Sequence, residues 1–510
     1  MSPTLSLPSL SAITCEEIRT GLESGFFTSK DLVNAYSTRT EEVNDRLNAV
    51  LEINPDALAI AEQLDKERRE GKIRGQLHGV PILVKDNIAT SDLMQTTAGA
   101  FCLEGAKPSR DATVVTFLRK AGAVILGKTN LSEWANYRST NSSDGWSGRG
   151  GQTYGTYHDK QYACGSSSGS AVATSIGLAF AAVGTETDGS ITCPSAYNSI
   201  VGIKPTLGLV PRDFVISGSF NMDSVGPMAR SVKDAALLLS VMAGKSEFDN
   251  ATKHIPYDQI PDFTQHCDPK FLHSARIGAL SQFRDAGATI VDTDFPNLDE
   301  FQQVPRSKYM ERDLNDGLVA YLQALDSNPH EVRTLEDIIE ALRNDAREKT
   351  DTFDVEGLEN ATRSPSRDSE EYQSILQSAR RLAIDEGLNA VMDEHNLDAI
   401  ILPEAAKVAT SIAAVGGFPV ITVPLGFFSE DDPVQIHRGG TVKIGPNIPY
   451  GLQLIGRHFE EPKLVGYAYA FEQISRVRDK VKPLIAPKTE LEDILKGGLT
   501  HGECALNDSQ

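Results

Sequence analysis

No run of this 510-residue chain comes near the roughly 20 consecutive apolar residues that a bilayer-crossing helix needs. Basic residues are outnumbered, with 49 Lys and Arg against 70 Asp and Glu, a formal net charge of −21. That excess argues against nucleic acid or an anionic membrane surface as a partner. Cysteine is sparse: Cys15, Cys102, Cys164, Cys193, Cys267 and Cys504 are scattered, with no CxxC pair and no ligand-like histidine spacing. The scatter predicts reduced thiols in a cytoplasmic protein, with no disulfide scaffold, no metal site and no cofactor. The opening Met1-Ser2-Pro3-Thr4-Leu5-Ser6-Leu7 lacks the basic region and apolar run of a signal peptide, so none is expected. What remains is 40% apolar and 23% charged residues, the composition of a globular protein with a large core.

Residues 1–76 predict a helical extension packed on the core, because Thr14 with Glu17 and Thr28 with Asp31 fit the capping-box spacing ahead of helical runs. From Leu77 short β-rich runs (Val80–Val84, Ala123–Leu126, Ala179–Val183, Val201–Ile203) alternate with helix-like segments such as Ala112–Lys120 and Val232–Met242. That alternation predicts an α/β fold, a large mixed, mainly parallel sheet covered by helices on both faces. A more polar stretch at 244–396 reads as a helical insertion able to shape a substrate entrance. Sheet character returns at Leu397–Pro403, Phe418–Leu425 and Tyr450–Gly456, and a last helix at Pro462–Ser475. No linker interrupts 77–490, which reads as one domain, and 491–510 reads as a loose tail.

Three segments carry candidate chemistry. Gly165-Ser166-Ser167-Ser168-Gly169-Ser170 places serines on glycine-flanked backbone ahead of a run of small residues suited to a tightly packed helix. A helix N-terminus there favours developing negative charge, although plain helix capping by a serine is equally compatible. Thr187-Asp188-Gly189-Ser190 follows a strand-like run, and a sharp turn would gather backbone N–H groups fit to hold an oxyanion. Alone, a serine after Asp-Gly is more often an ordinary turn residue. Lys85 ends the apolar run Gly79-Val80-Pro81-Ile82-Leu83-Val84. It is either a strand-end lysine with its head in water or, if buried, a base whose pKa has fallen some three units from about 10.4. In the second case Asp86 must point elsewhere. A fourth segment, Gly122–Thr129, fits the phosphate-loop expression GxxxxGK[ST], but Val124-Ile125-Leu126 is strand-like and leaves no loop to cradle a phosphate, so Lys128 reads as structural.

The serine segments, with Ile191-Thr192-Cys193-Pro194 and Val201–Thr206, resemble the glycine- and serine-rich signature of the amidase signature family. Gly79–Asn87 resembles the family's lysine motif, and Thr97-Ala98-Gly99, Gly127–Asn130, Gly226–Arg230 and Gly451–Gly456 agree as well. The likeness covers roughly 77–243 and 397–475. It implies the amidase signature fold and a Ser–Ser–Lys triad: Ser190 as nucleophile, Ser166 as a bridging serine after a cis peptide bond, and Lys85 as base. It also implies oxyanion donors in the backbone N–H groups of Thr187, Asp188, Gly189 and Ser190. The chain departs from the usual pattern in having Glu186-Thr187-Asp188-Gly189-Ser190 for Asp-x-Gly-Gly-Ser and Thr192 for Arg. Within the family, Asn130–Asn136, Gly145–Gln152 and Cys164–Gly169 look most like the peptide amidases, which release the terminal carboxamide nitrogen of peptides as ammonia.

The resemblance thus implies an amide hydrolase acting through an acyl-enzyme on a small-molecule or peptide amide. Other substrates weighed are fatty acid, aryl and small aliphatic amides, and glutamine as in the hydrolysing subunit of a transfer-RNA amidotransferase. A non-catalytic binding protein on the same scaffold would lack a use for Lys85, Ser166 and Ser190 together. Oligomeric state is not legible in the sequence.

Overall fold

The computed structural model describes residues 7–278, 288–403 and 407–496. Eleven strands form one sheet: β1 Val50–Ile53, β2 Pro81–Lys85, β3 Val124–Thr129, β4 Ala181–Glu186, β5 Val201–Lys204, β6 Ser224–Ala229, β7 Arg276–Gly278, β8 Thr289–Ile290, β9 Ala399–Pro403, β10 Val420–Phe427 and β11 Pro449–Ile455. Their spatial order is β1-β3-β2-β4-β6-β5-β10-β11-β9-β7-β8. The sheet is mixed, as expected. Parallel pairing joins β2 to β3 and β4, and β7 to β8 and β9. The neighbours between these blocks run antiparallel, so parallel pairing has a smaller share than the sequence pattern suggests. Continuous apolar runs such as Ile82-Leu83-Val84 look alike in buried strands of either direction, which is why the direction could not be read from them.

The N-terminal helices are α1 Cys15–Glu23, α2 Ser29–Leu47 and α3 Ala57–Arg69, followed after β2 by α4 Thr113–Lys120, and both predicted capping boxes close, at Thr14/Glu17 and Thr28/Asp31. This segment also supplies β1, which adds an antiparallel edge strand beside β3. Buried Arg39 on α2 donates to the carbonyls of Ile176 and Gly177 at 2.8 and 2.7 Å, where helix α5 (Ser168–Ser175) ends. A cation there satisfies carbonyls that the helix leaves unpaired.

The stretch 244–396 is mainly helical but contributes β7 and β8 to the sheet edge. It is fastened to the core by Arg138, whose Nη1 lies 2.7 Å from Glu133 Oε1 and 2.8 Å from Glu348 Oε2. All three side chains are buried, and Arg138 Nη2 also donates to the Glu348 carbonyl at 2.5 Å. Two carboxyls share one guanidinium, so burial and the neighbouring Glu348 raise Glu133 above the usual carboxyl range. Residues 491–496 of the expected loose tail are helical with Leu491 buried, and the remainder lies outside the described residues. Among the described residues no helix is long and apolar enough to cross a membrane.

Removing the shared cation leaves two buried carboxyls with backbone donors but no counter-charge. Arg138→Ala is expected to lower the unfolding free energy by about 3–5 kcal/mol, read as a fall in the urea midpoint. A loss under about 1 kcal/mol would show that the insertion does not depend on this pair of contacts.

Candidate active site

The parallel pairing of β2 with β4 sets Val84 opposite Val183, and so carries Lys85 to the same sheet end as Thr185 and the turn that follows β4. Lys85 is fully buried. Its Nζ lies 2.7 Å from Ser166 Oγ, 2.8 Å from Thr185 Oγ1 and 3.2 Å from the Thr185 carbonyl. Burial pulls the Lys85 pKa down to about 7, against the opposing pull of the Asp223 and Glu186 charges. A neutral amine has two N–H groups and one lone pair. Donating both to Thr185 leaves the lone pair for the Ser166 hydroxyl proton. Asp86 does point elsewhere: its Oδ2 accepts from Thr97 Oγ1 at 2.6 Å and from the Gly99 N–H at 2.9 Å.

Gly165–Ser166 is a cis peptide bond. The next serine bonds Thr185 and the Ser190 segment instead of Lys85. Ser167 Oγ donates to the Thr185 carbonyl at 3.0 Å and accepts from the Thr185 N–H at 3.2 Å. Its own N–H donates to the Ser190 carbonyl at 3.1 Å, which holds the Ser190 segment beside Ser166. Lys85 and Ser166 are thus directly joined, whereas Ser190 is tethered through backbone. Among the described residues no hydrogen bond links the Ser166 and Ser190 hydroxyls, a contact that often tightens only around substrate.

The turn 187–190 is fixed from three sides. Gly189 adopts φ +83°, open to glycine at little cost. Behind it, the buried Glu186 carboxylate accepts the N–H groups of Ile191 and Thr192 at 2.7 and 2.8 Å, where helix α6 (Thr192–Tyr197) begins. In front, Thr187 Oγ1 donates to Asp223 Oδ1 at 2.6 Å. Asp223 in turn accepts from Ser217 Oγ at 2.5 Å and from the N–H groups of Gly218 and Ser219 at 2.9 and 3.0 Å. Among the described residues, the Gly189 and Ser190 N–H groups bond no protein acceptor.

Thr185, Glu186 and Asp223 were not predicted. Nothing local marks them, because each acts on a residue reached across strands or around a loop. The signal for Thr185 was present only as its place in the strand beside Lys85.

Two adjoining spaces meet the turn. A polar cavity of about 240 Å³ is lined by Asp144, Tyr162, Gly165, Gly189 and Gln453. A groove of about 480 Å³ shares Asn136 and Asp188 with it and takes its far wall, within residues 304–311, from the insertion. Cys164 and Cys193 also line the smaller cavity, and they form a disulfide. This corrects the expectation of reduced thiols throughout. The two lie 29 residues apart in sequence but only 6.1 Å apart between Cα atoms, because Cys164 precedes the first serine segment and Cys193 sits on α6, behind the second. Cysteine content therefore no longer supports a cytoplasmic setting. The phosphate-loop match is strand β3 from Val124 to its end at Thr129, and buried Lys128 Nζ donates to the Ile88 carbonyl at 2.6 Å and to Thr96 Oγ1 at 2.9 Å.

Residues 31–465 match the family profile described as Amidase. A protein of Arthroderma benhamiae named as an amidase is 41% identical over 534 aligned residues, 96% of this chain and 90% of that protein. A glutamyl-tRNA(Gln) amidotransferase subunit of Natranaerobius thermophilus is 28% identical, over 92% of this chain and 96% of its own. The crystal structure of the peptide amidase of Stenotrophomonas maltophilia superposes with a TM-score of 0.84 at 38% identity, covering 93% of this chain and 98% of that one. With a profile match over most of its length and relatives alike from end to end, the chain belongs to the amidase family and is a hydrolase of amide carbon–nitrogen bonds.

Proposed function

We propose that this amidase releases ammonia from the C-terminal carboxamide of peptides through a Ser190–Ser166–Lys85 relay. The observation that carries the relay is the buried 2.7 Å contact between Lys85 Nζ and Ser166 Oγ, made by a lysine whose two remaining bonds go to one threonine. The substrate reading draws on the likeness to the Stenotrophomonas maltophilia peptide amidase and on a groove beside the turn with room for a peptide.

Neutral Lys85 takes the Ser166 proton as Ser166 takes that of Ser190, and Ser190 Oγ bonds to the carboxamide carbon. The oxyanion is held by the N–H groups of Thr187, Asp188, Gly189 and Ser190, donors already set in place by Glu186 and Asp223. The relay returns the proton to the departing nitrogen as the C–N bond breaks, since an amide anion leaves very poorly. Water then enters, loses a proton to the same relay and splits the ester, which frees the peptide acid and restores Ser190. Residues 304–311 of the 244–396 insertion shape the acyl side of the groove.

Ser190→Ala is expected to abolish both ammonia release and labelling by a fluorophosphonate while the melting temperature holds. Retained turnover would remove Ser190 from the nucleophile role. Lys85 must be neutral to act, and its pKa of about 7 makes log kcat/KM climb with unit slope below that pH and level off above it. Asp223→Asn removes a charge that keeps Lys85 protonated, so the break in the profile should move to lower pH. An unmoved break would disconnect Asp223 from Lys85. Thr187→Val, which deletes the bond to Asp223, should lower kcat by about tenfold or more with KM little changed, and a KM effect alone would place Thr187 in substrate binding.

A further inference from the structure

A largely apolar cavity of about 430 Å³ is lined by Thr185 and Thr187, but among the described residues its walls include none of Ser166, Gly189 and Ser190. The polar cavity of about 240 Å³ differs in this respect. It is bounded by both serine segments, at Gly165 next to Ser166 and at Gly189 next to Ser190. A water that attacks an ester on Ser190 and gives its proton to Ser166 must sit between those two segments.

Most polar side chains of this cavity are paired with one another. Asp144 Oδ1 accepts from Asn136 Nδ2 at 2.7 Å, and its Oδ2 accepts from the Tyr162 hydroxyl. Asp188 Oδ2 accepts from Ser411 Oγ at 2.6 Å, and Thr410 Oγ1 donates to Gln453 Oε1 at 2.9 Å. The last bond takes the acceptor end of the Gln453 amide and leaves the donor end. Gln453 lines the cavity and is only 1% exposed, yet its Nε2 bonds no protein acceptor among the described residues. Native interiors seldom leave such a donor unpaired without a use for it. Its place is fixed from two directions. On β11 it lies opposite Leu402 of β9 and Thr422 of β10, inside the sheet. Thr410, on the helix Lys407–Gly416, joins it to the catalytic turn, since Thr410 Cγ2 lies 4.0 Å from where a Cβ on Gly189 would be.

We propose that Gln453 holds the water that hydrolyses the acyl-enzyme. The inference rests on the Ser190 acyl-enzyme of the mechanism above. A water oxygen has two lone pairs. The Nε2–H group donates to one and leaves the other aimed at the ester carbon. One water O–H bond breaks as its proton passes to Ser166 Oγ, whose own proton goes to Lys85 Nζ, and the water oxygen bonds to the carbon. Lys85 then returns its proton through Ser166 to Ser190 Oγ as the ester C–O bond breaks, which frees the acid. A donor suits this place, because an acceptor would compete with Ser166 for the water's proton. A water needs about 10–15 Å³ of cavity and two to four polar partners, and Gln453 and Ser166 supply two. A carboxamide nitrogen is a poor acceptor, since its lone pair is shared with the carbonyl. The bond therefore forms with water and not with the substrate amide, and deacylation depends on Gln453 more than acylation does.

The test separates the two half-reactions of the full chain with p-nitrophenyl acetate. Stopped-flow release of p-nitrophenolate in the first turnover reads acylation, and decay of the acetyl adduct by intact-protein mass, after the ester is removed, reads deacylation. Gln453→Leu keeps the volume and loses the donor. It is expected to leave acylation unchanged, to slow deacylation about tenfold or more and to accumulate acetyl-enzyme. Thr410→Val unties Gln453 Oε1 and lets the amide turn, so it should slow deacylation as well, and it carries the test if Gln453→Leu fails to fold. Equal slowing of both steps, or of neither, would overturn the role of Gln453 alone. So would the lack of an acetyl adduct in Gln453→Leu when a fluorophosphonate still labels Ser190. Labelling of Ser190 by neither reagent would overturn the acyl-enzyme reading, and the role of Gln453 with it.

Discussion

The buried contact between Lys85 Nζ and Ser166 Oγ sets the terms for everything packed around it. A fully buried lysine is neutral only if no carboxylate restores its charge, yet three acids sit close in sequence or space. Each is kept occupied. Asp86 is turned to Thr97 and Gly99. Glu186 is turned to the start of α6, and Asp223 to Thr187 and the 217–219 loop. The last two nevertheless raise the Lys85 pKa against desolvation, which keeps it near 7 instead of lower still. The same carboxylates that act on the Lys85 charge also fix the 187–190 turn, so in the proposed mechanism proton transfer and charge stabilisation share one set of supports.

This coupling explains which parts were legible in the sequence. Lys85, Ser166 and Ser190 sit in segments whose residue types already state a chemistry, and the glycines beside them state the backbone they need. The helices announced by Thr14, Thr28 and Val232–Met242, and strands such as Val201–Lys204, followed from local spacing. The phosphate-loop lookalike was separable for the same reason, since Val124-Ile125-Leu126 reads as strand and is one. Thr185, Asp223 and the Cys164–Cys193 pair were hidden because their meaning lies in distances between segments far apart in the chain. Strand direction was hidden too, because a run such as Ile82-Leu83-Val84 carries no mark of its neighbour's polarity.

One helix of the insertion reaches the spaces around the site. Ser307–Gln323 lines the groove with Met310 and Glu311 and the apolar cavity with Gly317 and Ala320. Midway along it, buried Asp313 accepts from Ser219 Oγ at 2.6 Å, Asn221 Nδ2 at 2.8 Å and Tyr372 Oη at 2.6 Å. Ser219 also donates its N–H to Asp223, the acceptor of the Thr187 hydroxyl. A continuous set of hydrogen bonds therefore joins the Ser307–Gln323 helix to the 187–190 turn.

Such a connection constrains how the chain can change its substrate. Helix positions that are not fully buried, such as Glu311 and Ala320, can be altered without disturbing any contact of Lys85, Ser166 or Ser190. Asp313 cannot, because losing it leaves Ser219, Asn221 and Tyr372 without their common acceptor and loosens the loop behind Thr187. The exposed positions of this helix are thus free to drift while its buried middle stays tied to the 217–219 loop. That division accounts for a sequence in which the catalytic segments declare an amidase plainly and the amide itself is left to residues with no motif.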